Sequence, residues 1–198
     1  MLAETFLTLV RKATRELDLE DIRAEVIAFS ARMPDVSTRQ RGERMIRRTA
    51  RRAAAIGALA SLPPGWASIA AMAPELSALI VLQSRLILGL HLLYGGTPEP
   101  EERALEVLAG IAAGAGLNVS RRLTTRVAEE LAGRLAIRIA GREAAHLVPL
   151  AGAAVSAALN YAAGRAVGRA ALARVERLYG PPEVPGSGPV VEAKGEVS

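Results

Sequence analysis

Apolar residues recur along this chain with the period of a helix, and no stretch alternates as a half-buried strand would. In "ETFLTLVRKATRELDLEDIRAEVIAFSAR", Phe6, Leu9, Val10, Leu17, Ile22, Val26 and Phe29 fall at helical spacing, which predicts one or two amphipathic helices. "MPDVS" breaks the pattern, and "STRQ" at 37–40 has the form of a capping box that opens a second region running to about Ser61. "LPPG" at 62–65 predicts a turn, because proline cannot continue a helix. A third region runs from Trp66 to Tyr94, with Pro74 expected to divide it. Gly95 and Gly96 are suited to its C-cap. Thr97 and Pro98 are expected as N-cap and first position of the next helix, whose dipole Glu99, Glu101 and Glu102 favour. The chain loosens near Gly114–Ser120, then "RRLTTRVAEELAGRLAIRIAG" predicts another helix and a last one covers about 144–178. The remaining segment is dense in Pro and Gly, as flexible tails are.

The expected fold is therefore all-α. It is a compact helical bundle over residues 1–180 with two strongly apolar central helices, followed by a disordered tail at 181–198. Composition agrees. Half of the 198 residues are apolar but only six are aromatic, so the core is filled by Ala, Leu, Val and Ile. Cysteine is absent, which excludes disulfides, thiolate metal sites and a thiol nucleophile. The N-terminus carries Glu4 ahead of any basic residue, and charge returns at Arg11, so no signal peptide is expected.

Two apolar stretches invite a membrane reading. Leu76–Tyr94 is apolar nearly all round, with Arg85 at its centre. A central Arg costs about 2.5–3.5 kcal/mol on insertion scales, so the alternative is a core helix whose Arg85 pairs with a carboxylate from another helix. Residues 144–164 hold no charge over 21 positions, yet Ala and Gly dominate them. Here Gly152, Ser156, Asn160, Gly164 and Gly168 recur every four residues. Such a stripe admits another backbone at close range, in lipid or in dry protein. Asn160 within it is expected as a buried amide with its partners satisfied, or as part of a polar site.

The net charge of +5 is regional: residues 39–52 alone carry +6. At 100° per residue, Arg41, Arg44, Arg48, Arg51 and Arg52 fall within an arc of about 100°. A basic amphipathic helix suits an anionic membrane surface, an acidic protein or nucleic acid, or is simply a solvated face. Nucleic acid is disfavoured, since stacking aromatics and a recognition-helix motif are both missing. Chemistry-bearing motifs are absent too. His91 and His146 stand alone in apolar surroundings, the Gly-rich "GIAAGAG" follows no strand and ends in no Lys-Ser/Thr, and Glu129 and Glu130 face different ways. A non-enzyme without metal or cofactor is expected. The competing enzymatic reading would use Glu75, Arg85 or Asn160.

Taken in order, "LPPG", "APELSALIVLQSRLILGLHLLYG", "PEERALEVLAGIAAG" and "VPLAGAAVSAALNYAAGRAVGRAA" resemble the EcsC family of bacterial proteins over roughly residues 53–178. Tyr94-Gly95, Pro149 with Gly152 and Asn160, and Arg85 fall where that family places such residues. Pro74-Glu75-Leu76 departs from its Ala-Asp-Ile/Leu by a longer acid. The resemblance implies a bacterial, helical, membrane-linked accessory role tied to an ABC-transporter system, at the inner face of the cell membrane or inserted in it. Its partner would be an anionic membrane surface or a membrane protein. No catalytic residue carries over, and the oligomeric state stays open. The alternative is a soluble helical module whose Arg face binds an acidic protein or nucleic acid.

Overall fold

The structure, a computed structural model, describes residues 2–60, 66–117, 130, 133 and 149–180. Among them the regular structure is wholly helical, with six helices and no strand: α1 (Leu2–Glu16), α2 (Leu19–Ala31), α3 (Thr38–Ala60), α4 (Trp66–Leu93), α5 (Pro100–Gly114) and α6 (Pro149–Tyr179). The turn at 62–65, the helix expected at 121–141, the start of the last helix at 144–148, His146 and the tail at 181–198 lie outside the described residues.

The periodic N-terminal segment forms two helices because Asp18 interrupts it. The Asp18 carboxylate accepts the Glu20 N–H at 2.9 Å and caps α2. The capping signal at Ser37 holds as well: its hydroxyl oxygen accepts the Gln40 N–H at 3.3 Å. Gly95 adopts φ 79°, and the Gly96 and Gly95 N–H groups bond His91 O (2.8 Å) and Leu92 O (3.1 Å), the Schellman closure of α4. Gly116 closes α5 in the same manner.

Two boundaries differ from expectation. Pro74 lies inside α4 and does not divide it. A helix proline removes one ladder bond and costs about 3 kcal/mol, but α4 packs against each of the other five helices. Burial of one Leu or Ile contributes about 1.5–3 kcal/mol, so a few such contacts outweigh the break. Helix α5 begins with Glu99 as N-cap and Pro100 at its first position, two residues beyond the Thr97-Pro98 start. Both prolines suit a first position, and the later one leaves Glu101 and Glu102 in the first turn.

Contact with all five neighbours accounts for a helix apolar nearly all round. Leu86, Ile87, Leu88 and Leu90 of α4 are almost wholly buried against Ile22, Ile46, Val107 and Val175. Pro74–Leu93 is, among the described residues, the one helical stretch long and apolar enough to cross a membrane, and half of it is buried inside the protein.

Candidate functional site

The glycine stripe of α6 has α3 for its partner. A Cβ on Gly168 would stand 2.7 Å from Ile46, and one on Gly164 would stand 3.2 Å from the Ala50 Cα. At Gly57 of α3 the roles reverse: a Cβ there would overlap the Asn160 amide and lie 3.0 Å from the Ser156 carbonyl oxygen. Numbers fall on one helix as they rise on the other, so the two run antiparallel and each supplies small residues where the other is bulky. The face of α3 that meets α6 is its apolar one, with Ile46, Ala50, Ala53 and Gly57 buried. The surroundings of Gly152 lie outside the described residues.

This seam holds a buried polar node. The Asn160 Nδ2 donates to the Glu75 carboxylate of α4 at 3.0 Å, and both residues are under a tenth exposed, as is Ser156. The node joins α3, α4 and α6 in one place. Gln83, two turns further along α4, is also buried in this seam, its amide nitrogen 3.4 Å from where a Gly164 Cβ would stand. A buried carboxylate bonded to an amide fixes the register of three helices, because a slip would strand it without its partner.

Arg85 belongs elsewhere. Ten residues on from Glu75, it is about 15 Å along the helix axis. It donates to Asp21 (2.8 Å) and Glu25 (3.2 Å) of α2. The hydrogen bond to Asp21, opposed by partial burial and assisted by Glu25, raises its pKa still further. Glu75 and Asn160 thus meet while Arg85 does not join them, so the three form no common pocket. The carboxylate partner expected for Arg85 in a core helix is present twice.

The five arginines of the basic arc divide by their partners. Arg41 clasps the α2–α3 connection, donating from Nε and Nη2 to Met33 O (3.1 and 2.9 Å) and from Nη2 to Pro34 O (2.9 Å). The Arg44 guanidinium rests on the Met33 sulfur at 2.7 Å. Arg48 stands 3.6 Å from Glu25, both close to half exposed, a pair worth roughly 0–1 kcal/mol. Arg51 and Arg52 are exposed and have no ion-pair or hydrogen-bond partner among the described residues. Leu59 falls on the same arc at helical spacing and is 67% exposed. Val155 and Leu159 of α6, close to the Ser156–Asn160 turn that meets Gly57, are exposed as well.

A second polar cluster closes the opposite end of α4, and the sequence did not reveal it. His91 is 1% exposed. Its Nδ1 lies 2.9 Å from the Tyr179 hydroxyl and its Nε2 lies 3.5 Å from Glu106. With the proton on Nε2 facing the carboxylate, Nδ1 accepts from the Tyr179 O–H. Arg174 holds Glu106 with two short bonds, 2.6 and 2.7 Å. Burial would push the Glu106 carboxyl up; the bonds from Arg174 and His91 outweigh it and hold it at about 2. Close by, the Tyr94 hydroxyl donates to Glu176 (3.1 Å), which also receives Arg39 (3.1 Å). Burial, then the Glu176 charge, pushes Tyr94 up to about 12. Each group is engaged with another side chain, so the cluster ties α3, α4, α5 and α6 together. The sequence signal was a lone histidine in the last turn of an apolar helix; nothing local pairs it with residues fifteen and eighty-eight positions away.

Compared with known proteins, the chain matches no family model, no curated protein and no solved structure.

Proposed function

We propose that this protein is a non-catalytic, membrane-associated accessory protein. It would be a single compact helical bundle that sits at the cytoplasmic face of a membrane through the exposed arc of α3. The observation that carries the reading is the exposed pair Arg51 and Arg52, unpaired among the described residues, in line with the exposed Leu59. Guanidinium groups on the same helix face as an exposed apolar side chain about two turns on match the two layers of an anionic bilayer, headgroup and acyl boundary. Juxtamembrane basic residues contribute about 1 kcal/mol each at such a surface. The resemblance to EcsC proteins points the same way and suggests a link to transport or secretion.

Peripheral attachment is favoured over spanning. Helix α4 has its C-terminal half enclosed by other helices and its Arg85 paired with α2, contacts it would have to break to enter lipid. The test is flotation with vesicles of phosphatidylglycerol and phosphatidylcholine. The wild-type chain should float with the anionic mixture at low salt and be released by high salt. Arg51→Glu with Arg52→Glu should abolish flotation while the fold, checked by circular dichroism, is kept. Failure of the folded wild-type protein to float at low salt overturns the proposal. Flotation unaffected by the double charge reversal would move the attachment elsewhere on the molecule and refute this face.

A second reading, a soluble module whose arc binds an acidic protein, rests on the same arginines. It would be favoured by retention on an acidic polypeptide such as polyglutamate together with no flotation on anionic vesicles.

A further inference from the structure

Helices α2 and α3 both pack on α4 and barely touch each other. A half-open groove of about 50 Å³ is left between them, floored by α4. Its apolar lining comes from Ile22, Val26 and Phe29 of α2, Met45 of α3, and Leu82 and Leu86 of α4, with Thr49 of α3 beside them. Arg48, Arg52 and Arg85 reach its lining, with Glu25 the acid among them. The shape follows from the sequence. Gly89 of α4 lets Met45 and Val26 close in (3.0 and 3.6 Å from a Cβ placed there), while one turn earlier Arg85 is drawn to α2 and holds the walls apart.

We infer that this groove receives the upper part of one acyl chain of an anionic phospholipid, with the phosphate held between Arg48 and Arg52. Three observations carry this. The groove's lining joins six apolar side chains to three arginines against a single carboxylate, the complement of an anionic amphiphile. Its volume of about 50 Å³ leaves no room for a helix and admits only a short piece of a single chain. The edge cations are available: Arg52 is unpaired among the described residues, and Arg48 has only the loose, exposed contact with Glu25. A phosphate displacing Glu25 would leave that carboxylate with Arg85, which already holds it at 3.2 Å. Arg48 and Arg52, four residues apart, stand one turn apart on one face, and guanidinium forks match phosphate oxygens two at a time. Arg52 belongs also to the face assigned to the membrane. The inference therefore rests on that reading for its direction of approach and adds a defined lipid site to it.

The experiment measures binding of water-soluble dihexanoyl-phosphatidylglycerol to the full chain by calorimetry, beside dihexanoyl-phosphatidylcholine and inorganic phosphate. Saturable binding of the anionic lipid is expected, with the neutral lipid and phosphate alone each weaker by about tenfold or more. Leu82→Trp, which fills the groove without changing charge, should weaken the anionic lipid by about tenfold. Met45→Trp fills it from the opposite wall and serves if Leu82→Trp unfolds. Arg52→Gln should bring the anionic lipid down to the level of the neutral one. Equal affinity for phosphate and lipid, or two folded groove-filled variants that bind as wild type does, overturns the inference. Displacement of the lipid by polyglutamate that binds more tightly, with Leu82→Trp indifferent, overturns it in favour of an acidic protein partner. The two proposals fail separately. Flotation of a wild-type chain that shows no saturable binding of the soluble anionic lipid refutes the groove alone, and saturable lipid binding without flotation refutes the membrane reading alone.

Discussion

Gly57 is the position where close helix approach and the buried polar node are the same contact, and Gly57→Ala tests both. In an unencumbered helix this change stabilises by about 0.8–1 kcal/mol, through propensity alone. Here the added methyl overlaps the Asn160 amide nitrogen and lies 3.0 Å from both the Asn160 Cγ and the Ser156 carbonyl oxygen. The amide must turn away from Glu75, whose bond to it is 3.0 Å long, at a cost of about 1–3 kcal/mol. The Ser156 oxygen is backbone and yields only if α3 and α6 part, which as overpacking costs a further ~1–3 kcal/mol. Set against the propensity gain, the net is a loss of about 1–5 kcal/mol, centred near 3. For a domain of this size that centre lowers the melting temperature by about 6–12 °C. The assay is thermal and urea unfolding followed by circular dichroism, for Gly57→Ala, Asn160→Ala and the pair. In the Asn160→Ala background the obstructing amide is gone, so the second change should cost less than it does alone by about 1–2 kcal/mol. A melting temperature that rises with Gly57→Ala, or strictly additive effects in the pair, would refute the packing account of this seam.

Three further outcomes follow from the electrostatics and the packing. Glu106 falls from an ordinary 4.5 to about 2 in the folded chain, so its contribution is present above the unfolded value and is lost as pH drops through the folded one. Wild-type stability should decline between about pH 5 and pH 2 by up to ~3 kcal/mol from this group, and Glu106→Gln should lose that part of the slope in acid unfolding curves. Tyr94, raised to about 12 by burial and by Glu176, stabilises below the unfolded value near 10 and loses that contribution as pH climbs toward 12. An ultraviolet titration should show a tyrosine ionising near pH 12 in the folded chain, and Tyr94→Phe should remove it. Gly168→Ala places a methyl 2.7 Å from Ile46 and should destabilise by about 1–2 kcal/mol. Ile46→Ala removes both γ carbons that the new methyl meets, so the pair Gly168→Ala with Ile46→Ala should cost less than the sum of the two single changes in the same unfolding assay.

What this sequence determines by itself is local. The helical class, the break at Asp18 between α1 and α2, the Ser37 cap and the Gly95 closure are decided by residues within a few positions of each other, because their physics is that of adjacent backbone groups. The four-residue stripe announced a close helix contact for the same reason: its spacing is a property of one helix. Tertiary structure decided who makes that contact. That α3 supplies the partner, that Asn160 finds Glu75, and that Arg85 turns to α2 and away from both depend on how the described helices pack, which no single stretch encodes. Packing also explains why Pro74 does not divide α4, since burial of that helix outweighs the bond the proline removes. The basic arc shows the division most plainly. Its placement on one face of α3 was legible from the 100° advance, but which arginines remain available was not. Arg41 is consumed by the connection to α2 and Arg48 leans on Glu25, while Arg51 and Arg52 stand exposed. A guanidinium's availability is set by the carboxylates and carbonyls the fold brings within 4 Å of it, a fact of three dimensions and not of order along the chain.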